Sequence, residues 1–398
     1  MTPVSVWIYP WDLHDIGLEA ALGRLAAAGA NMVSLATSYH AGRFLQPGNP
    51  KRRVYFPQDG TVYYRPDPTR WAGAAITPLM AGIVETEGDM LGRLIDRRDA
   101  GGPGVSCWTV CLHNTRLGML HPGDVVRNAF GDPSYYALCP SSPAARAYVV
   151  SLCREIAEVY APDRIELETP EFMGFSHGFH HEKDGLPLTA DEDFLLGLCF
   201  CPHCSARATA AGVPVEEARV AVESILTDAF ARELPESRFP DFPARGLAAF
   251  DAIPALAAFL RWRTESVTSL VAEIRAAVPG RTQLLLIGYD GADLAGIDVA
   301  ACAPHLSGVL YCGYFAAPER LDRLLAETRR ALGPDKTLIA GFQLFHPNVR
   351  DPDDLRARVA AARPHADGWN FYNLGLVPPA RLGWISRALA RPFRSAPR

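Results

Sequence analysis

Short, compact apolar runs alternate along this chain with longer stretches in which Leu, Ala, Val and Ile return at helical spacing. The first run, Val4 to Tyr9, stops at Pro10 and predicts a buried strand. Leu18 to Ala28 follows as a helix, and Asn31 to Tyr39 as a second strand that delivers Tyr39 and His40 at its end. Strand, helix and strand at this spacing predict a βαβ unit and therefore a parallel sheet, because parallel neighbours need a crossover between them.

Ala41 to about Pro78 has little periodicity and is rich in Pro, Gly, Arg and Tyr; a loop of that length inside a compact domain usually belongs to a site. A helix is expected over Thr86 to Arg98, then a third strand, Val105 to Leu112, ending in His113 and Asn114. A second long loop crosses Leu117 to Ser142 before a helix over Ala144 to Tyr160. Arg164 to Glu168 reads as a fourth strand, with Pro170 just beyond it. From there to Gly280 the chain is too long for one connection and holds at least two helices, the clearest over Ile253 to Val278. The rhythm then becomes regular. Strands are expected at Gln283 to Tyr289, Gly308 to Tyr314, Thr337 to Phe345 and Gly368 to Asn373, with helices at Ile297 to Ala303, Pro318 to Leu332, Asp351 to Ala362 and Pro379 to Leu389.

Eight strands alternating with helices, and no Gly-rich phosphate loop after the first strand, predict a closed (β/α)8 TIM barrel rather than an open doubly wound sheet. The expected organisation is a single barrel domain over residues 1–398. It carries long insertions after the second, third and fourth strands, the last a helical, cysteine-rich one at about 173–280.

Composition narrows the partners. Lys and Arg number 39 against 44 Asp and Glu, with no basic block, so neither nucleic acid nor an anionic membrane is expected. No apolar run reaches the roughly 18 residues of a membrane span. The N-terminus reads directly as a strand rather than as a signal peptide, and the expected compartment is the cytoplasm. Self-association into a homo-oligomer is left open.

In a barrel of this kind the chemistry sits at the C-terminal ends of the strands. Those ends offer Tyr9, Tyr39, His40, His113, Asn114, Glu168, Glu171, Tyr289, Asp290, Tyr314, Gln343, His346, Asn370, Tyr372 and Asn373, with Trp7, Trp11, Trp108 and Trp369 on or beside the same strands. Aromatic faces that stack on sugar rings, with amides and imidazoles that bond hydroxyls, suit a carbohydrate. Two carboxylates flanking a glycosidic bond are the usual machinery of its hydrolysis, one protonating the leaving oxygen and the other attacking carbon or activating water. Glu168 or Glu171 is the candidate acid, and Asp290 the candidate second carboxylate. His177, His180 and His181, followed by Glu182, form another cluster, able to touch substrate or to hold a divalent metal.

Cys199, Cys201 and Cys204 lie within six residues. Three thiolates and one distant ligand make a closed tetrahedral zinc site, which is structural, and Cys139 in Leu138-Cys139-Pro140-Ser141-Ser142-Pro143 is the natural fourth ligand. The remaining cysteines, Cys107, Cys111, Cys153, Cys302 and Cys312, fall in apolar segments and are expected in the core. No organic cofactor is indicated.

Tyr136-Ala-Leu-Cys139-Pro-Ser-Ser-Pro143 with Arg146, and the Cys-x-Cys-Pro-His-Cys of residues 199–204, resemble segments flanking strand four of glycoside hydrolase family 42, the barrel β-galactosidases. The specific likeness covers roughly residues 130–210. It implies Cys139, Cys199, Cys201 and Cys204 as zinc ligands and a glycosidase activity. Two departures stand out. The family ends strand four in Asn-Glu, where this chain has Glu168-Thr-Pro-Glu171. It keeps its nucleophile, a glutamate, at the end of strand seven, where this chain offers Gln343 and His346. The expectation is a glycoside hydrolase acting on a small glycoside or oligosaccharide. The rivals are a metal-dependent sugar lyase or isomerase built on His177, His180 and His181, and a non-catalytic sugar-binding barrel.

Overall fold

The computed structural model describes residues 1–177, 179 and 181–390. Eight parallel strands close into a barrel: β1 (Val4–Ile8), β2 (Met32–Tyr39), β3 (Gly104–Val110), β4 (Arg164–Glu168), β5 (Gln283–Gly288), β6 (Gly308–Cys312), β7 (Thr337–Gln343) and β8 (Gly368–Tyr372). Each pairs with its neighbour in sequence, and β1 pairs with both β2 and β8, which completes the ring. The chain is a (β/α)8 TIM barrel.

Side chains alternate across each strand, and that alternation sorts two cores. Val6, Val33, Val105, Ile165, Leu286 and Phe371 point outward and pack under the helices. Trp7, Ala36, Trp108, Leu285, Leu310 and Ile339 point into the barrel. The register that sends Ile165 and Leu167 outward sends Arg164, Glu166 and Glu168 inward. A strand with three charged residues at every second position is therefore a barrel strand with a polar lumen face.

Several elements differ from the sequence reading. The helix expected over Thr86 to Arg98 is two helices, Gly82–Glu87 and Met90–Asp99. Gly88 turns the chain at φ 92, and Asp89 starts the second helix by accepting from the backbone N–H of Gly92. The helix expected to run to Tyr160 keeps its regular form only over Pro143–Glu155, and a wider turn, Ile156–Tyr160, ends at Ala161 with φ 45. β2 and β4 end at the expected residues, Tyr39 and Glu168, and the other six strands end one to two residues earlier than expected.

The long insertions carry structure of their own. Thr61–Val62 returns antiparallel onto β2, and a hairpin joins Val125–Arg127 to Pro133–Leu138. The insertion after β4 holds the helices Ala190–Leu196, Pro202–Ala210, Val215–Phe230 and Pro254–Ala277. Among the described residues no single helix is long and apolar enough to cross a membrane.

Candidate active site

A cavity of about 610 Å³ opens at the C-terminal rim between β4, β5 and β6. Glu168, Thr169, Glu171, His177, Asp290 and Tyr314 line it, with Trp7 among its walls and Phe315 and Arg320 at its edge.

The end of β4 brings two carboxyls to the cavity. Glu168 is its last residue, and its carboxyl accepts a hydrogen bond from the indole N–H of Trp108 on β3. Thr169 then takes φ 53, a left-handed conformation costly for a β-branched residue. That turn, followed by Pro170, brings Glu171 back to the same cavity three residues on. Glu171 is buried and accepts from the hydroxyl of Tyr289 at 3.1 Å through Oε1. Burial pushes both carboxyls up to about 7. Hydrogen bonds from Trp108 to Glu168 and from Tyr289 to Glu171 pull the other way, and the negative charges of neighbouring glutamates add to the rise.

Among the described residues, Thr169 Oγ1, Glu171 Oε2 and Tyr314 Oη are buried without an oxygen or nitrogen partner, and all three residues line the cavity. Buried polar atoms are nearly always satisfied, so three orphans around one cavity mark a place built to hydrogen-bond something that enters it.

Three imidazoles stand beside this wall. His40 stacks on Tyr39 (4.3 Å) and on His113 (4.0 Å), and His177 meets His113 edge-on at 4.4 Å, its Nε2 3.3 Å from His113 Nδ1. Burial and the neighbouring rings hold His113 down at about 2 and His177 at about 4, and burial lowers His40, so all three are neutral. His181 is exposed, and His180 lies outside the described residues.

The other candidates are distributed differently. Asp290 follows β5 at the cavity rim and is paired with Arg320 at 2.5 Å, both half exposed. Asn114 caps the helix Thr115–Leu120, accepting from Leu117 N at 2.8 Å and donating to the Gly60 carbonyl at 3.1 Å. Gln343 donates to the Tyr314 carbonyl at 3.1 Å. Asn370 lies deep in the barrel, donating to Ser5 Oγ at 2.9 Å. Asn373 accepts from the backbone of Gly375 and Leu376. None of these four lines the cavity.

The sequence reading did not single out Thr169, Arg320 or Glu166. Tyr289, read from the sequence at the end of the fifth strand, is the phenol that bonds Glu171. The left-handed turn at Thr169 has no sequence signature.

Apart from the cavity, Cys139, Cys199, Cys201 and Cys204 converge, their sulfurs all within 4.8 Å of one another and every side chain fully buried. Cys139 Sγ lies 3.8 Å from Cys199, 3.6 Å from Cys201 and 3.4 Å from Cys204. A tetrahedron with metal–sulfur bonds of about 2.3 Å has edges of about 3.8 Å, so the four thiols could hold a metal with small adjustment. Backbone N–H groups of Arg127, Ser141 and Cys204 point at three of the sulfurs, the outer bonding expected of ligated thiolates.

The fold is shared with solved structures at low identity. The glycoside hydrolase domain of PgaB (BpsB) from Bordetella bronchiseptica aligns over 98% of this chain and 100% of its own, at 14% identity and a TM-score of 0.57. The catalytic domain of β-amylase from Paenibacillus polymyxa aligns over 97% of both chains, at 11% identity and TM-score 0.55. A β-galactosidase from Marinomonas ef1 aligns over 97% of this chain, which spans 58% of that enzyme, at 12% identity and TM-score 0.58. At these identities the likeness is one of fold. No family model matches the chain, and no curated protein sequence matches it.

Proposed function

We propose that this barrel is a glycoside hydrolase that cleaves a small glycoside or oligosaccharide, with Glu168 as proton donor and Glu171 as the second carboxylate. The observation that carries the reading is the pair itself: two glutamates from one strand end, both raised to about 7, facing one cavity of about 610 Å³. The charge of Glu168 raises Glu171 further, so ionisation of one opposes ionisation of the other. Sugar hydrolysis needs such a pair, an acid for the leaving oxygen and a base or nucleophile opposite it. Glu171 suits the second role better than Asp290, because its Oε2 is buried and unengaged while Asp290 is tied to Arg320 at the rim.

The glycosidases named above support the class through their shared barrel, and the likeness of residues 130–210 to glycoside hydrolase family 42 supports it through the cysteine motif. In this reading the thiol cluster holds one structural zinc, since four thiolates leave no open position for chemistry. The segment at about 173–280 is an insertion in a single barrel domain. All nine cysteines are free of disulfides, which supports a reducing, cytoplasmic setting.

Aryl glycosides and natural oligosaccharides, offered to wild type, Glu168→Gln and Glu171→Gln, test the proposal. Wild type is expected to release reducing sugar, and each variant to lose roughly 10²- to 10⁴-fold in rate. Equal rates in all three proteins would end it. A sugar bound with altered affinity in Glu168→Gln but never cleaved by wild type would point to a binding protein.

A further inference from the structure

Glu166 is buried in the barrel, inward of the cavity, and among the described residues no Lys, Arg or His pairs with it. Its carboxylate accepts three hydrogen bonds: from Trp7 Nε1 at 2.7 Å, Ser34 Oγ at 2.6 Å and Ser106 Oγ at 2.7 Å. A charge placed so deep is costly even when its oxygens are satisfied. What it holds is Trp7, a wall of the cavity. The indole of Trp7 stacks on that of Trp108, centroids 4.6 Å apart and planes 9° from parallel. Trp108 in turn donates its N–H to Glu168.

We propose that Glu166 is a positioning residue for Glu168, acting through the Trp7–Trp108 stack and through its own charge one strand repeat below. The two serines and Trp7 pin the carboxylate; the carboxylate pins Trp7; the flat stack leaves Trp108 one orientation in which its N–H reaches Glu168. The same negative charge opposes ionisation of Glu168, adding to the effect of burial. The other titratable groups facing Glu168 are Tyr39 from β2, Cys111 beyond β3, Cys312 and Tyr314 from and beyond β6, and Tyr372 from β8. All are held protonated by burial. Glu166 and Glu171 are therefore the charges that set its proton affinity, with Arg164 lying near Glu166 on the side away from Glu168.

The inference rests on Glu168 being the proton donor, so its test is chosen to work without a substrate. The Glu168 carboxyl is titrated by infrared difference spectroscopy in the full-length protein, with Glu168→Gln to assign the band. Glu166→Gln keeps an acceptor for Trp7 and lets Ser106 accept from the new amide, so geometry is retained and only charge is lost. It is expected to lower the Glu168 titration by about one pH unit, the scale on which a like charge acts across a buried site. Trp7→Phe leaves Glu166 and both serines in place but drops the anchored N–H. It is expected to move the titration upward as the Trp108 bond loosens. Shifts in these opposite directions support the proposal, even in a protein that cleaves no glycoside. Titration of Glu168 at its wild-type position in either folded variant overturns it.

Discussion

Tyr289 donates its phenolic hydrogen to Oε1 of Glu171 at 3.1 Å, while Oε2 of the same carboxyl lies buried without a partner. One oxygen is held and the other is left for whatever enters the cavity. The hydroxyl stabilises the ionised form and so works against the burial that raises this group. Tyr289→Phe is expected to raise the Glu171 titration further and to move the acidic limb of the pH–rate profile upward. A pH profile of kcat/KM on an aryl glycoside checks it; an unmoved limb would remove Glu171 from the role of base.

Stability is expected to depend on pH through the same pair. Both glutamates titrate at about 7 in the folded protein against an ordinary 4.5, so the folded state holds these protons more tightly than the unfolded one. Their contribution is fully present below about 4.5 and is lost as pH rises through about 7. The cost at pH 8 is roughly 3 kcal/mol for each group. Glu168→Gln and Glu171→Gln are therefore expected to stabilise the protein at pH 8 and to be near neutral at pH 5. Urea unfolding at the two pH values measures this, and equal effects at both would contradict the raised titrations.

Thr169 occupies a left-handed conformation that glycine adopts freely. Relief of roughly 1 kcal/mol of steric cost should offset the entropy cost of glycine, so Thr169→Gly is expected to unfold near the wild-type midpoint. Turnover should fall, because the turn that aims Glu171 gains freedom. A loss of stability above about 2 kcal/mol would show that the threonine side chain itself holds the turn.

Metal analysis is expected to return one tightly held zinc per chain, lost in Cys199→Ser, with a drop of several degrees in the melting temperature. Structural zinc contributes its binding energy directly to folding, which is why removal is read in stability first. A second, chelator-labile metal needed for turnover would favour the lyase reading over hydrolysis.

Much of this architecture was legible in the chain. Compact apolar runs separated by helical-period segments determined eight βα units, because a strand buried on both faces and a crossover helix each impose a spacing that survives without tertiary information. The tight thiol cluster of Cys199, Cys201 and Cys204 with Cys139 was legible for the same reason, since few arrangements tolerate so many thiols so close. Glu168 was legible as a carboxylate at a strand end. Other properties depended on contacts between residues far apart in sequence. Asn114, Asn370 and Asn373 resemble ligand-binding amides in sequence, yet the fold spends them on a helix cap, a bond to Ser5 and a turn. Asp290 reads as a free carboxylate until helix Pro318–Leu332 brings Arg320 against it. Glu166 reads as one more charged residue until closure of the barrel sets Trp7, 159 positions earlier, above it. Local patterns determine which way a side chain faces; burial, partners and hence proton affinity exist only once distant strands are side by side.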